Sequence, residues 1–493
     1  MKKRAAGILL PISSLPSKYG IGTLGKEAFH FVDQLVKAGQ KYWQVLPVGP
    51  TSFGDSPYQS FSAFAGNPYF IDLECLIEDG LLTEEEVAGF DWGDDPSDVD
   101  YEKIYNSRFV LLHKAYHASH FEMEKEYRKF VKKNSYWLED YCLYMALKFY
   151  FGGREWLSWE ESIRMHEKTA VEHYKKLLKD EIGFWHYCQY QFFSQWKKLK
   201  KYANKQGVKI IGDIPLYMAL DSADVWTHGE LFELDERKKP INVAGVPPDC
   251  FSEDGQLWGN PLYNWKQMKK DHFAWWEMRM RSNAALYDVI RIDHFIGIVN
   301  YWSVPAGSKN AIQGEWRKGP GKKLTNVIKA ATKGSDIIAE DLGVVGENVR
   351  KLIQKTGWPG MKILQFAFDG DSTSEYLPHN FQSKNCIVYG GTHDNETIVG
   401  FFQGKTEKES KFAKEYLGVA TKEEIPKAIL RLGYASIANT VIFQMQDILE
   451  LDNSARMNLP ATVGTNWRWR MLPGQFTKEH IRQLRKLTKL YNR

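Results

Sequence analysis

The sequence predicts an α/β fold, a (β/α)8 TIM barrel with large, mainly helical inserted subdomains and no separate C-terminal β domain. Eight short apolar runs recur along the 493 residues, and helical patterns fall between several of them. Short strands that are apolar on both faces suit a parallel sheet covered by helices, and eight β–α steps suit a closed barrel. The rival is a doubly wound sheet, which wants a glycine-rich phosphate loop after its first strand; Leu10-Pro11-Ile12-Ser13-Ser14 is no such loop.

The first run, Gly7 to Leu10, leads to a helix over Lys26 to Ala38, where Ala28, Val32, Leu35 and Val36 share a face and Gly39 closes the helix. Tyr42 to Leu46, stopped by Pro47, is the second strand. The third to eighth are Lys209 to Asp213, Val289 to Asp293, Ile337 to Glu340, Met361 to Phe366, Ile387 to Gly391 and Val441 to Met445. Helices are expected at Lys323 to Ala331 and at Asn348 to Lys355, the latter closed by Gly357 and Pro359. Roughly 160 residues separate the second and third strands and roughly 75 the third and fourth, too many for structureless loops. The reading is therefore a barrel start over 1–72, a helical insertion over 73–200 and the third strand within 201–220. A second insertion spans 221–285, and strands four to eight with a C-terminal helix occupy 286–493.

Within the first insertion, Thr83-x-x-Glu86 has the capping-box pattern, and Trp137 to Tyr150 runs as a helix into Gly152-Gly153. The stripe Phe184, Cys188, Phe192 and Trp196 in Glu181 to Lys201 reads as a packed helix face, and Lys197 to Lys201 as a solvated one. Thr477 to Tyr491, with Ile481, Leu484, Leu487 and Leu490, reads as a docked helix.

Hydrophobic residues at 43% and charged residues at 26% exclude a disordered or collagenous chain. Lys+Arg 65 against Asp+Glu 61 gives +4, without the concentrated basic excess of a nucleic-acid binder. Five dispersed cysteines with no CxxC pair point to a reducing compartment. Met1-Lys2-Lys3-Arg4 followed by Ala5 to Ile12 imitates a secretory leader, but Gly7 and Pro11 interrupt the apolar run and no cleavage site follows. A cytoplasmic protein is expected, and no stretch approaches the ~20 apolar residues of a membrane span.

In a barrel, catalytic groups belong at the C-terminal ends of strands. The third strand ends in Asp213, the fourth in Arg291-Ile292-Asp293-His294 and the fifth in Glu340-Asp341, while the seventh leads into Thr392-His393-Asp394-Asn395-Glu396. Acids ending apolar strands are costly unless paired or used. Arg291 and Asp293, two apart, leave the same face of a strand. The guanidinium is expected to lower the pKa of Asp293 and keep it ionised, fit for nucleophilic attack, with Asp213 holding Arg291 from its other side. Glu340 follows Ile337-Ile338-Ala339, where desolvation raises a carboxyl pKa and suits a general acid. Two carboxylates with pKa values pushed apart serve retaining glycoside cleavage; an inter-strand ion-pair network is the other reading of the same residues. A divalent-metal site at Asp293-His294, Glu340-Asp341 and His393-Asp394 lacks closely spaced histidines and would seat Arg291 beside the cation. No metal and no cofactor are therefore expected.

At this point a family resemblance is carried by Gly7-Ile-Leu-Leu-Pro-Ile-Ser-Ser-Leu-Pro16, Trp43-Gln-Val-Leu-Pro-Val-Gly-Pro50 and Asp55-Ser-Pro-Tyr-Gln-Ser-Phe-Ser-Ala-Phe-Ala-Gly-Asn-Pro-Tyr69. It continues through Gly212-Asp-Ile-Pro-Leu-Tyr217, Gly245-Val-Pro-Pro-Asp249, Trp258-Gly-Asn-Pro261, Arg291-Ile-Asp-His-Phe295, Ile338-Ala-Glu-Asp-Leu-Gly343 and Gly391-Thr-His-Asp-Asn-Glu-Thr397. Arg456-Met-Asn-Leu-Pro460 and Asn466-Trp-Arg-Trp-Arg470 complete the series. In this order, along essentially the whole chain, the segments resemble the amylomaltase family of 4-α-glucanotransferases, relatives of the α-amylases.

The resemblance implies Asp293 as nucleophile, Glu340 as acid/base and Asp394 as the third carboxylate, which binds sugar hydroxyls and stabilises an oxocarbenium-like transition state. It places Arg291 and His393 around the subsite of cleavage, with Asp213 close by and Tyr58 stacked under the reacting glucose. Asp249 and Trp258 belong to a long loop over the site, and Asn458 is a further substrate contact. Without the resemblance, Tyr58 reads as a loop aromatic and Trp258 as a core plug, while Phe53, Trp467 and Trp469 read as packing. The chain departs from the family pattern at Ala461, where glycine is usual.

The expected reaction is retaining transfer of an α-1,4-glucan segment to the 4-hydroxyl of glucose or another maltooligosaccharide, by a monomer or weak oligomer. The two catalytic carboxyls should then lie roughly 5–5.5 Å apart. Two other readings remain at this level: an α-glucan hydrolase with the same carboxylates, and a non-catalytic glucan-binding protein on the same fold.

Overall fold

A computed structural model describes residues 1, 3–52, 54–248, 252–343 and 345–493. Its strands, in chain order, are β1 (Ala5–Leu9), β2 (Tyr42–Gln44), β3 (Lys209–Ile214), β4 (Asn242–Val246), β5 (Gln256–Pro261) and β6 (Val289–Ile292). They continue with β7 (Asn300–Pro305), β8 (Glu315–Lys318), β9 (Asp336–Ala339), β10 (Gly360–Ile363), β11 (Cys386–Tyr389) and β12 (Thr440–Gln444). Among the described residues, eight of these form one parallel sheet in the order β10-β11-β12-β1-β2-β3-β6-β9. They are the eight runs read from the sequence, each short and, except for the half-buried β10, almost wholly buried.

The sheet curls into a nearly closed barrel. At the seam, Ala339 N–H donates to the Pro359 carbonyl at 3.0 Å and Met361 N–H to Asp341 Oδ1 at 2.7 Å, tying β9 to β10. Asp341 thus closes the seam. Across the interior, Tyr389 on β11 donates its hydroxyl to Gln44 Oε1 on β2 at 2.8 Å. These strands are not neighbours, so both side chains point inward. Gly212 on β3 faces outward, where a Cβ would lie 2.2 Å from the Tyr287 ring; only a residue without one lets that ring cover the strand.

The helices follow their sequence signals. Lys26–Lys37 buries Ala28, Val32 and Leu35 as expected, but Phe31 takes the place of Val36, which is 41% exposed. Glu84–Ala88 starts with the Thr83/Glu86 capping box, and Glu347–Thr356 ends at Gly357 with φ +70°. Between β2 and β3 lies a helical insertion spanned by Lys179–Lys205. At 1.5 Å per residue this helix is about 40 Å long, and it buries Phe184, Cys188, Phe192 and Trp196. The C-terminal helix Lys478–Leu490 docks Leu484 and Leu487 but leaves Leu490 56% exposed. Its stripe is one residue shorter than the spacing suggested.

One element was not legible in the sequence. The insertion after β3 is only partly helical: β4, β5, β7 and β8 form an antiparallel sheet in the order β5-β4-β7-β8. Two of these strands precede β6 and two follow it. Leu257, Gly245, Trp302 and Trp316 stand in register across its outer face, while Ala244, Tyr301 and Ser303 are buried on the other. No described helix is long and apolar enough to cross a membrane.

Candidate active site

The candidate residues gather at the C-terminal ends of the barrel strands, and the parallel register sets Asp213 and Arg291 side by side. Asp213 on β3 is paired with Arg291 on β6. Arg291 Nη1 donates to Asp213 Oδ1 and Oδ2 at 2.8 and 2.6 Å and to Asp293 Oδ1 at 2.9 Å. Its Nε meets Met361 Sδ at 3.4 Å. Asp213 and Arg291 are 0% and 3% exposed, whereas the Asp293 side chain keeps 28% of its surface open. One guanidinium therefore bridges a buried acid and an accessible one.

Glu340 lies just past β9 and is buried. Its Oε2 accepts His294 N–H at 2.6 Å and its Oε1 accepts Leu342 N–H at 2.7 Å. His294 follows Asp293 and has φ +52°, a left-handed conformation uncommon outside glycine. This conformation turns the amide next to Asp293 toward Glu340. Burial pushes the His294 imidazole down to about 4, so the ring is neutral, and Trp258 packs on it edge to face at 4.7 Å.

His393 and Asp394 come from the loop after β11. The Tyr58 ring stacks on His393 at 5.0 Å and 15°, and the Tyr58 hydroxyl donates to Asp213 Oδ2 at 2.8 Å. His393 Nε2 stands 3.2 Å from Asp394 Oδ2. Asn458 donates from Nδ2 to Asp394 Oδ1 at 2.6 Å. Trp467 is buried behind the pair, 5.8 Å from each ring.

Contacts thus run continuously from Asp293 through Arg291, Asp213, Tyr58, His393 and Asp394 to Asn458. Glu340 joins at the amide beside Asp293, and Trp258 borders it through His294. Asp249 and Phe53 lie outside the described residues. Asn458, expected beside substrate, has its amide on the third carboxylate. Trp469, expected as packing, is buried, and its carbonyl accepts the Ser14 hydroxyl. Arg456 is a contact that motif reading passed over: its Nη2 donates to the Asp394 carbonyl at 2.8 Å. The signal lies in the sequence, since Arg456 stands two residues before Asn458 in Arg456-Met-Asn-Leu-Pro460.

The electrostatics separate the three acids. Burial, reinforced by the charge of Asp293, pushes Glu340 up to about 8. Burial also raises Asp293, to about 6, against the opposing pull of Arg291. This reverses the direction expected from the Arg291 neighbour alone, because desolvation outweighs the single guanidinium that Asp213 shares. For Asp394, burial is opposed by the His393 charge, with hydrogen bonds from His393 and Asn458, and the net effect lowers it to about 2. Near neutral pH the set holds a protonated Glu340 beside ionised Asp293 and Asp394. One acid able to give a proton beside two anions able to meet positive charge can serve cleavage and re-formation of an acetal bond. Among the described residues, no cluster of three or more His, Cys, Asp or Glu side chains has the geometry of a metal site.

Comparison with known proteins gives one consistent neighbourhood. A family model described as 4-alpha-glucanotransferase matches residues 10–475. The chain is 50% identical over 484 residues to a 4-alpha-glucanotransferase of Clostridium butyricum, covering 98% of this chain and 99% of that protein. It is 44% identical over 500 residues to one of Thermus thermophilus, covering 99% of each. Among solved structures it resembles an amylomaltase from Streptococcus agalactiae in complex with acarbose, with a TM-score of 0.96, 43% identity and 100% of both chains covered.

Proposed function

The chain belongs to the 4-alpha-glucanotransferase family and transfers glucan segments, and we propose that it does so by retaining double displacement on α-1,4-glucans with Asp293, Glu340 and Asp394 as its catalytic acids. Asp293 attacks the anomeric carbon. Glu340 gives its proton to the departing glycosidic oxygen, and a glucosyl ester forms on Asp293 as the glycosidic bond breaks. Glu340, now ionised, takes the proton from the 4-hydroxyl of an incoming glucose or maltooligosaccharide. That oxygen attacks the anomeric carbon, Asp293 leaves, and a new α-1,4 bond closes with the original configuration.

The observation that supports this reading is the contact of Glu340 with the amide next to Asp293, which keeps an acid and a nucleophile adjacent but in opposite protonation states. Arg291 orients Asp293 through its 2.9 Å contact. Asp394, anionic and braced by His393 and Asn458, meets the charge that develops on the sugar ring and accepts from its hydroxyls. Tyr58 supplies a ring face for the reacting glucose, and Trp258 a wall over His294. Free cysteines at Cys75, Cys142, Cys188 and Cys386 favour a reducing, cytoplasmic setting.

Chromatography of products from maltotriose alone tests the proposal. Glucose together with chains longer than maltotriose is expected. Glucose and maltose alone would make the protein a hydrolase, and maltotriose bound but unchanged would make it a binding protein.

A further inference from the structure

The segment after β12 grips the loop after β11 along its length. Asp447, buried, accepts Ile398 N–H at 2.8 Å. Asn453 accepts Thr397 N–H at 3.2 Å and donates to Glu396 Oε1 at 2.7 Å. It is packed so closely on Gly400 that a Cβ there would lie 2.2 Å from its Cγ. Arg456 donates from Nη2 to the Asp394 carbonyl and from Nε to the Asn458 carbonyl, each at 2.8 Å. Asn458 in turn donates to the Asp394 carboxylate. Asp394 is thus held at its backbone by Arg456 and at its side chain by Asn458, and one guanidinium fixes both backbones to each other.

We propose that Arg456 is a positioning residue for the transfer reaction: by bridging the carbonyls of Asp394 and Asn458 it sets where the third carboxylate stands against the sugar. The proposal rests on the role given to Asp394 above. A guanidinium is a planar fork of fixed donors, so two carbonyls bound to it hold a fixed separation. An ammonium is a compact charge with three rotatable donors, and it imposes no fixed separation on the carbonyls it binds. Displacing a charge-stabilising group by about 1 Å costs on the order of 10²-fold in rate. Because Asp394 faces charge that grows in the transition state, the loss falls on kcat more than on KM.

The test measures kcat and KM for maltotriose disproportionation, with the thermal midpoint, in Arg456→Met, Arg456→Lys and Asp394→Asn. Arg456→Met should lose about 10²-fold in kcat, with KM moving less than about threefold and the midpoint nearly unchanged. Arg456→Lys should recover part of the loss. Gly400→Ala pushes on Asn453, whose carbonyl accepts the Arg456 N–H at 3.1 Å, and so shifts Arg456 without removing its guanidinium; it should show the same kcat-selective loss and serves if Arg456→Met does not fold. Parental kcat in folded Arg456→Met, or in Gly400→Ala if Arg456→Met does not fold, would overturn the proposal. So would losses that follow the thermal midpoint without rescue by lysine. Full turnover in Asp394→Asn would instead remove the role of Asp394 itself.

Discussion

His294 donates its backbone N–H to Glu340 Oε2 at 2.6 Å, so the residue directly after Asp293 is tied to the neighbouring acid on the next strand. The left-handed φ of +52° at His294 makes this contact possible. One hydrogen bond, from the backbone just past β6 to the Glu340 side chain just past β9, thereby sets the proposed acid beside the proposed nucleophile.

Removing either acid should remove the chemistry and leave the fold. Asp293→Ala and Glu340→Gln are each expected to lose ~10³-fold or more in kcat, about 4 kcal/mol of transition-state stabilisation. Circular dichroism should be unchanged. Near-normal turnover in either variant would refute its assignment.

The pH–rate profile should be bell-shaped. Asp293, near 6, must lose its proton for the acid limb to rise, and Glu340, near 8, must keep its proton before the alkaline limb falls. The two groups interact, so the limbs belong to the pair. A profile still rising above pH 9 would contradict Glu340 as the acid.

The same burial makes Glu340 a liability to stability. Its folded pKa, about 8, exceeds the usual 4.5, so the folded state binds more protons than the unfolded state between those values. Its contribution is fully present below about 4.5 and is lost as pH rises through about 8. Glu340→Gln places an amide against one of two N–H donors, a cost that does not vary with pH. Its stability relative to the parent should therefore improve from pH 5 to pH 9 in denaturant titrations. A difference that stayed flat would contradict the raised pKa.

Much of this site was legible because it is local. A carboxylate ending an apolar strand is visible in sequence, and period-2 spacing places Arg291 and Asp293 on one face. The eight barrel strands were legible for the same reason. The sheet of β4, β5, β7 and β8 was not: Gly245 and Gly259 interrupt its strands, Pro261 and Pro305 end two of them, and its outer face leaves Trp316 51% exposed. The net direction at Asp293 was missed because desolvation is a property of the packed barrel. The grip of Arg456 and Asn458 on Asp394 joins residues more than 60 positions apart, a pairing that no local pattern encodes.

Asp213 should matter as much for stability as for activity. It is fully buried and takes two hydrogen bonds from Arg291 and one from Tyr58. Asp213→Ala removes the buried partner of a buried guanidinium and leaves it only the more open Asp293, which costs about 3–5 kcal/mol. Urea denaturation should show that loss, and a change under ~1 kcal/mol, the scale of an exposed pair, would contradict the burial of the network.

Ala461 stands where the family pattern has glycine, and its φ of +65° explains that pattern. A left-handed L-residue costs roughly 1–2 kcal/mol, part of which the flexibility of glycine in the unfolded chain would offset. Ala461→Gly should therefore stabilise the protein by about 0.5–1 kcal/mol, with kcat unchanged. Destabilisation would contradict the backbone conformation.

The central claim is a glucosyl ester on Asp293, and mass spectrometry of Glu340→Gln with α-maltosyl fluoride tests it most directly. Fluoride departs without an acid, while release of the ester needs the missing base, so the intermediate should accumulate. The prediction is a maltosyl adduct on the peptide that contains Asp293, absent in Asp293→Ala. Fluoride release with no adduct, or an adduct on another residue, would contradict it.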